Sequence, residues 1–395
     1  MELSYLSKKD GIGGIIETPE GFIVEEISSD GTVFPINKKI RKNGKDGQFT
    51  HFILQKRNWT TMDAVKELAR RLHASQKRFS CAGAKDRKAV TTQLVSAFSV
   101  PPSEVMSLNV KDIRINGAWR SDGQVKMGDL AGNRFRIKIN GAGKGAKKIA
   151  ESIYSDMDGR FVNYFGPQRF GLRENTHIIG KLMLQGRFKD AVMNFLTFQG
   201  DKDKESALAR KNLLETGDFS IALLQFPNHL HFERSMLAWL SRHPYDYVNA
   251  LRKLPRGLSL MFIHAYQSFL FNRLLSERVM EEAFGQEGGE YMCGENSYGF
   301  PDLNKKSKSK KGWLVCKIIG YETKLNKREK ELLEKEEITQ SAFKLRSFPE
   351  ISSRGSLRTF FAPLRNFSFK RNTFSFELPS GSYATAALRE FMDRK

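Results

Sequence analysis

Alternation of apolar and polar positions is clearest over Gly132–Ile139. Asn133, Phe135, Ile137 and Ile139 fall on one face of that stretch and Arg134, Arg136 and Lys138 on the other, which predicts a half-buried strand with a basic outer face. Phe22 to Ile27 reads as a strand, preceded by a turn at Gly11-Ile12-Gly13-Gly14. Phe79 to Gly83 and Thr92 to Val100 read as two more, the second rich in β-branched residues. Near the C-terminus, Phe367–Phe369 and Thr373–Phe376 predict a hairpin across Lys370-Arg371-Asn372. A helix is expected from Thr60, where Thr60 and Asp63 form a capping pair and Met62, Val65, Leu68, Ala69 and Leu72 make one apolar face. This strand–helix–strand order points to an α/β sheet domain.

Beyond it, Gly141–Gly145 turns the chain into a helix with Ile149, Ile153 and Met157 on one side. From Thr176 to Leu260 the patterning is helical, and Gly186-Arg187-Phe188 and Gly217-Asp218-Phe219 open two copies of a Gly-x-Phe-x-x-Ala spacing. A longer helix follows, with Phe262, Tyr266, Phe269, Leu270 and Leu274 inward and Arg273 and Arg278 available to a ligand. Asn304 to Lys311, with five lysines and two serines, reads as a mobile loop, and Asn326 to Glu337 as an exposed charged helix.

The stretch Cys81–Gln93 carries candidate chemistry. Asp86 sits in a connection between two strands, beside Lys85, Arg87 and Lys88. Three adjacent cations are expected to lower its pKa below the free value of about 3.9. A solvated charged turn is the plain alternative.

Composition narrows the partners. A chain of 395 residues predicts two domains. The net charge of +21 favours a polyanionic partner, nucleic acid first and an anionic membrane surface second, and 30 Phe residues include candidates for stacking on unpaired bases. No apolar run approaches the ~20 residues needed to span a bilayer, and the N-terminus lacks a signal-peptide core, so a cytoplasmic protein is expected. Three cysteines without metal spacing, and His229 and His231 without companion ligands, offer no zinc site. Neither glycine cluster fits a dinucleotide or phosphate-loop fingerprint. A metal-dependent nuclease needs clustered carboxylates, and the basic motif holds one.

The chain resembles the TruD family of tRNA pseudouridine synthases. Gly83, Lys85, Asp86, Ala89, Thr91 and Gln93 match its Gly-x-Lys-Asp and Ala-x-Thr-x-Gln signature. Four further blocks match in order. They are Pro19–Glu26, Asn133 with Phe135, Asn163-Tyr164-Phe165-Gly166-Pro167-Gln168-Arg169-Phe170-Gly171, and Leu378-Pro379-Ser380-Gly381-Ser382-Tyr383-Ala384-Thr385 with Leu388-Arg389-Glu390. Gln267–Arg278 is similar to a family helix as well.

The resemblance implies an α+β fold, a mixed and largely antiparallel pseudouridine-synthase sheet flanked by helices with a mainly helical inserted domain. The expected boundaries are 1–165 and 361–395 for the catalytic domain and 166–360 for the insertion. The implied reaction converts a uridine of tRNA, typically position 13, to pseudouridine without cofactor or metal. Asp86 is the implied catalytic residue, either as nucleophile at the ribose or as base at its C2′. Lys85, Asn133, Phe135, Phe165, Gln168, Arg169 and Glu26 are the implied substrate-binding residues, with Phe135 stacking near the target base. The Asn163–Gly171 run suits a loop lining a nucleotide pocket and equally a packed domain junction. The expected partner is tRNA, with other structured RNA left open. No membrane and no obligatory protein partner are expected, and the protein is expected to be a monomer. The competing reading is a non-catalytic RNA-binding or RNA-chaperone protein on the same scaffold.

Overall fold

The structure is a computed structural model that describes residues 2–200, 203–307 and 312–392. The chain divides into two compact units, one of Leu6–Asn163, Glu295–Asp302 and Phe361–Lys395, the other of Met1–Tyr5, Tyr164–Gly294 and Leu303–Phe360.

The first unit is organised on a nine-stranded sheet. Its long strands are β1 (Phe22–Ser28), β2 (Phe49–Arg57), β3 (Val90–Phe98), β4 (Ile113–Ser121), β5 (Leu130–Asn140), β6 (Arg365–Lys370) and β7 (Thr373–Pro379). They stand in the order β6-β7-β5-β1-β3-β2-β4, with Ile15–Ile16 added to β5 and Phe79–Cys81 to β3. β1 and β3 run parallel, and the other pairings in this sheet are antiparallel. The architecture is therefore α+β and not the α/β type suggested by element order alone, because hairpin-like pairing outweighs the single crossover.

Local sequence explains these elements. The β6–β7 hairpin closes with Arg371 and Asn372 at φ of 49° and 55°, the paired left-handed residues of a type I′ turn that matches strand twist. Helix α1 (Thr61–Arg71) starts where the Thr60 hydroxyl accepts the Asp63 N–H at 3.0 Å. It buries Ala64, Val65, Leu68 and Ala69 against Phe52, Leu54, Val95 and Ala97. Met62, expected on that face, is 60% exposed, since Ala64 and Thr61 take the inward positions instead.

The second unit is mainly helical, from Thr176–Leu184 to the long helix Arg256–Met280, around one apolar core. The two Gly-x-Phe-x-x-Ala copies play the same part. Gly186 and Gly217 each take a left-handed turn, Phe188 and Phe219 each begin a helix, and Ala191 and Ala222 are buried. Three expectations change here. Arg278 is not available to a ligand: it is 2% exposed and bonded to Glu290 at 2.7 Å. The helix Lys327–Lys335 is partly buried through Glu329, Leu332 and Leu333. The lysine-rich segment begins inside a strand, Pro301–Lys306, and its residues 308–311 lie outside the described residues.

Candidate active site

Residues 82–89 form the connection that carries Asp86. On the edge of β3 facing away from β2, the N-terminal half pairs with β1 and the C-terminal half with Phe79–Cys81. The chain between Cys81 and Val90 has to leave the sheet there, over the face that bears α1.

Lys56 fixes that departure. In β2 it follows Phe52 and Leu54 by the two-residue period, so its side chain enters the same face. It is fully buried, and its ammonium donates to three carbonyls, those of Trp59 at 2.7 Å, Asp86 at 2.9 Å and Lys85 at 3.2 Å. One ammonium has three N–H donors, and each is used. Burial lowers the pKa of Lys56 to about 8, against the opposing pull of Asp86.

A second set of bonds holds the loop from below. The Lys85 N–H donates to the Thr61 hydroxyl at 2.9 Å, that hydroxyl donates to Gln93 Oε1 at 2.9 Å, and Gln93 Nε2 donates to the Gly83 carbonyl at 3.0 Å. Lys85 Nζ meets Glu26 Oε2 at 2.5 Å, with both side chains buried, while Glu26 Oε1 accepts the Leu94 N–H at 2.9 Å. Lys85 and Glu26 are thus paired with one another inside the protein.

Asp86 keeps its own accessible surface, yet protein mass around it thins the water enough that desolvation raises its pKa above the ordinary 3.8. Lys56 and then Lys85 oppose that rise. The expectation of a lowered pKa is overturned. Arg87 and Lys88, its neighbours in sequence, are exposed, and burial outweighs the two cations that do act.

The rest of this face follows from strand register. Lys56 lies beside Thr91, Thr91 beside Val24, Val24 beside Phe135, and Phe135 beside Phe376, while Glu26 lies beside Asn133. Phe135 is buried, stacked on Phe376 at 5.4 Å and edge-on to Phe22 at 6.4 Å. Asn133 Oδ1 and Thr91 Oγ1 are both buried without a hydrogen-bond partner. Unsatisfied groups of this kind are rare in folded proteins. Lys56 is the residue that sequence reasoning missed as part of this site, and Thr91 was noted there only as a motif position.

The opposite face is not a free basic surface. Glu25, fully buried, takes Arg134 at 2.7 Å and Arg136 at 3.1 Å, and Lys138 pairs with Glu17 at 3.0 Å.

Asp86, Lys85, Glu26, Asn133 and Phe135 therefore belong to one unit, and Phe165, Gln168 and Arg169 to the other. There, the Asn272 side chain clamps Phe165, accepting its N–H at 2.8 Å and donating to its carbonyl at 2.9 Å. The Phe165 ring lies under the guanidinium groups of Arg358 at 4.1 Å and Arg169 at 5.5 Å. Arg169 also donates to Ser268 at 3.1 Å, and Gln168 is exposed. Among the described residues no cluster of three potential metal ligands occurs.

The fold is that of a class of RNA-modifying isomerases, as its similarity to known proteins shows. The family model for tRNA pseudouridine synthase D (TruD) matches residues 2–391. A Methanopyrus kandleri protein named "Probable tRNA pseudouridine synthase D" is 36% identical over 367 residues, covering 88% of this chain and 86% of its own. One of the same name from Methanosarcina acetivorans is 32% identical over 427 residues, covering 98% and 94%. A crystal structure of a Methanosarcina mazei TruD superposes with a TM-score of 0.76 at 31% identity, covering 98% of this chain and 95% of that one. The chain belongs to the TruD family of tRNA pseudouridine synthases.

Proposed function

We propose that this enzyme isomerises one uridine of tRNA, at position 13, with Asp86 as the reacting carboxylate. The observation that carries the reading is the Asp86 connection itself. Its backbone is pinned by Lys56 while its carboxylate keeps solvent access. Ionised Asp86 serves as nucleophile at the ribose C1′ or takes a proton from C2′. In either route the N1–C1′ bond breaks with its electron pair on N1. The uracil turns and C5 bonds to C1′, which breaks the Asp86–C1′ bond in the first route and is accompanied by return of the proton to C2′ in the second; the proton lost from C5 is balanced by one gained at N1, so no oxidant or cofactor enters.

The target uridine leaves its stack to reach the Asp86 carboxylate, at a cost of a few kcal/mol that phosphate contacts with the +21 chain offset. Asn133 positions Asp86 or the sugar, which suits its unpartnered buried Oδ1. Phe135 borders the displaced base. Lys85 and Glu26 hold the loop. Phe165, Gln168 and Arg169 bind RNA on the helical unit. The sheet-bearing unit is the catalytic domain and the helical unit its insertion. The enzyme works as a monomer in the cytoplasm, and no helix among the described residues is long and apolar enough to cross a membrane.

Nucleotide-resolved mapping of pseudouridine on unmodified tRNA transcripts tests this reading. Product at U13, and none on a transcript carrying C at that position, is expected. Tight binding without product on any transcript would instead establish the non-catalytic RNA-binding alternative.

A further inference from the structure

Trp59 stands between β2 and α1 with its ring partly buried against the core beneath α1. It borders an open cavity of about 530 Å³ whose other lining includes Asp63, Lys66, Glu67, Arg70 and Arg87. That size lies within the about 300–1,000 Å³ of small-ligand sites.

The charges in this cavity are unequally spent. Asp63 accepts the Thr60 hydroxyl at 2.7 Å as part of the helix cap. Glu67 is bound by Arg70 at 2.9 Å and by Arg71 at 2.7 Å. Among the described residues, Lys66 and Arg87 have no ion-pair partner and the Trp59 indole N–H has no acceptor. What remains on offer is an aromatic face, a donor at its edge and two unpaired cations. A base with its phosphate has the complementary chemistry.

The cavity is tied to Asp86 as well. The Lys56 ammonium that bonds the Asp86 carbonyl also bonds the Trp59 carbonyl, and Arg87 follows Asp86 in the chain. By contrast, the cavity of about 420 Å³ on the other face of the sheet is lined by groups that pair among themselves, Arg57 with Glu20 and Asp112, and Asn37 with Gln55.

We propose that the Trp59 cavity receives one of the two nucleotides adjoining the target uridine, its base stacked on the indole and its phosphate held by Lys66 and Arg87. The proposal rests on the reading of Asp86 as the reacting carboxylate. It makes Trp59 a residue that sets the sequence register of the RNA on the enzyme.

The test uses the full chain and tRNA transcripts carrying 2-aminopurine at one adjoining position at a time. In an Asp86→Asn background, which holds RNA without turnover, one of the two transcripts changes fluorescence on binding, and Trp59→Leu abolishes that change. In the otherwise wild-type enzyme, Trp59→Leu raises KM by about 5- to 150-fold, the range of one base–aromatic stack, and Trp59→Phe recovers most of it. Lys66→Gln with Arg87→Gln, both on the surface, lowers the slope of log affinity against log salt by about one, the share of one phosphate. This third readout stands even where Trp59→Leu disturbs folding.

A product-forming enzyme whose KM, fluorescence response and salt slope are all unmoved by these changes would overturn the subsite. Absence of product from the wild-type protein would instead overturn the enzymatic reading, and the two failures are separate.

Discussion

Desolvation shifts the ionisation of both Asp86 and Lys56, and each charge opposes the shift of the other. With Asp86 as the proposed reacting carboxylate the reaction needs it ionised, and desolvation raises its pKa above 3.8. The acid limb of the pH–rate profile is therefore expected above the range of an ordinary aspartate. Lys56→Met removes the largest opposing charge and should move that limb to still higher pH.

The stability consequence has the opposite sense to a salt-bridged aspartate. A carboxyl whose folded pKa is raised contributes stability below its unfolded pKa and loses it as pH rises through the folded value. At neutral pH ionised Asp86 costs stability, so Asp86→Asn is expected to leave Tm equal or higher while removing activity; a lowered Tm at pH 7 would contradict this. Lys56 is charged and costly below pH about 8, so its own contribution to stability rises as it deprotonates above that value. Its neutral amine, however, has one N–H too few for three carbonyls. An alkaline fall in kcat near pH 8 without parallel loss of Tm is expected. At pH 7 Lys56→Met should lose on the order of 10²-fold in kcat, the scale of a misplacement of about 1 Å, with tRNA affinity little changed.

At the scale of elements, β1, β3 and the 82–89 connection are fastened by the Glu26–Lys85 pair. Breaking a buried pair by removing one partner costs about 3–5 kcal/mol, and Glu26→Gln is expected to fall in that range in urea unfolding. A loss below about 1 kcal/mol would mean that the pair does not anchor the loop. Much of this element was readable in advance. The motif located Asp86, the flanking strands were placed within two residues of their bounds, and the hairpin at Lys370-Arg371-Asn372 lay where turn-forming residues interrupt two alternating runs. Lys56 was not readable. Next to Arg57 at the end of β2, it looks like half of a solvated basic pair, although its parity with Phe52 and Leu54 was the available signal. Asp86 was misread for a related reason, since adjacency in sequence suggested Arg87 and Lys88 as its partners and desolvation leaves no mark in composition. Glu25 and Glu26 are both buried because consecutive strand residues face opposite sides, each with its own basic partner.

For the molecule as a whole, the +21 charge makes RNA affinity steeply dependent on salt. Contact with six phosphates lowers affinity by about a thousandfold between 50 and 200 mM salt. Filter binding of tRNA is expected to show a fall of that order, and one below tenfold would remove the electrostatic part of the account. Charge and aromatic content do not separate an enzyme from an RNA-binding protein; the family to which the chain belongs does. The most direct measurement is single-turnover pseudouridine formation on a tRNA transcript by wild type and Asp86→Asn, with binding measured on the same samples. Product at one uridine from wild type and none from Asp86→Asn, with equal tRNA binding, is expected. Product from Asp86→Asn at the wild-type rate would rule out Asp86 as the reacting group, because the chemistry would then reside elsewhere.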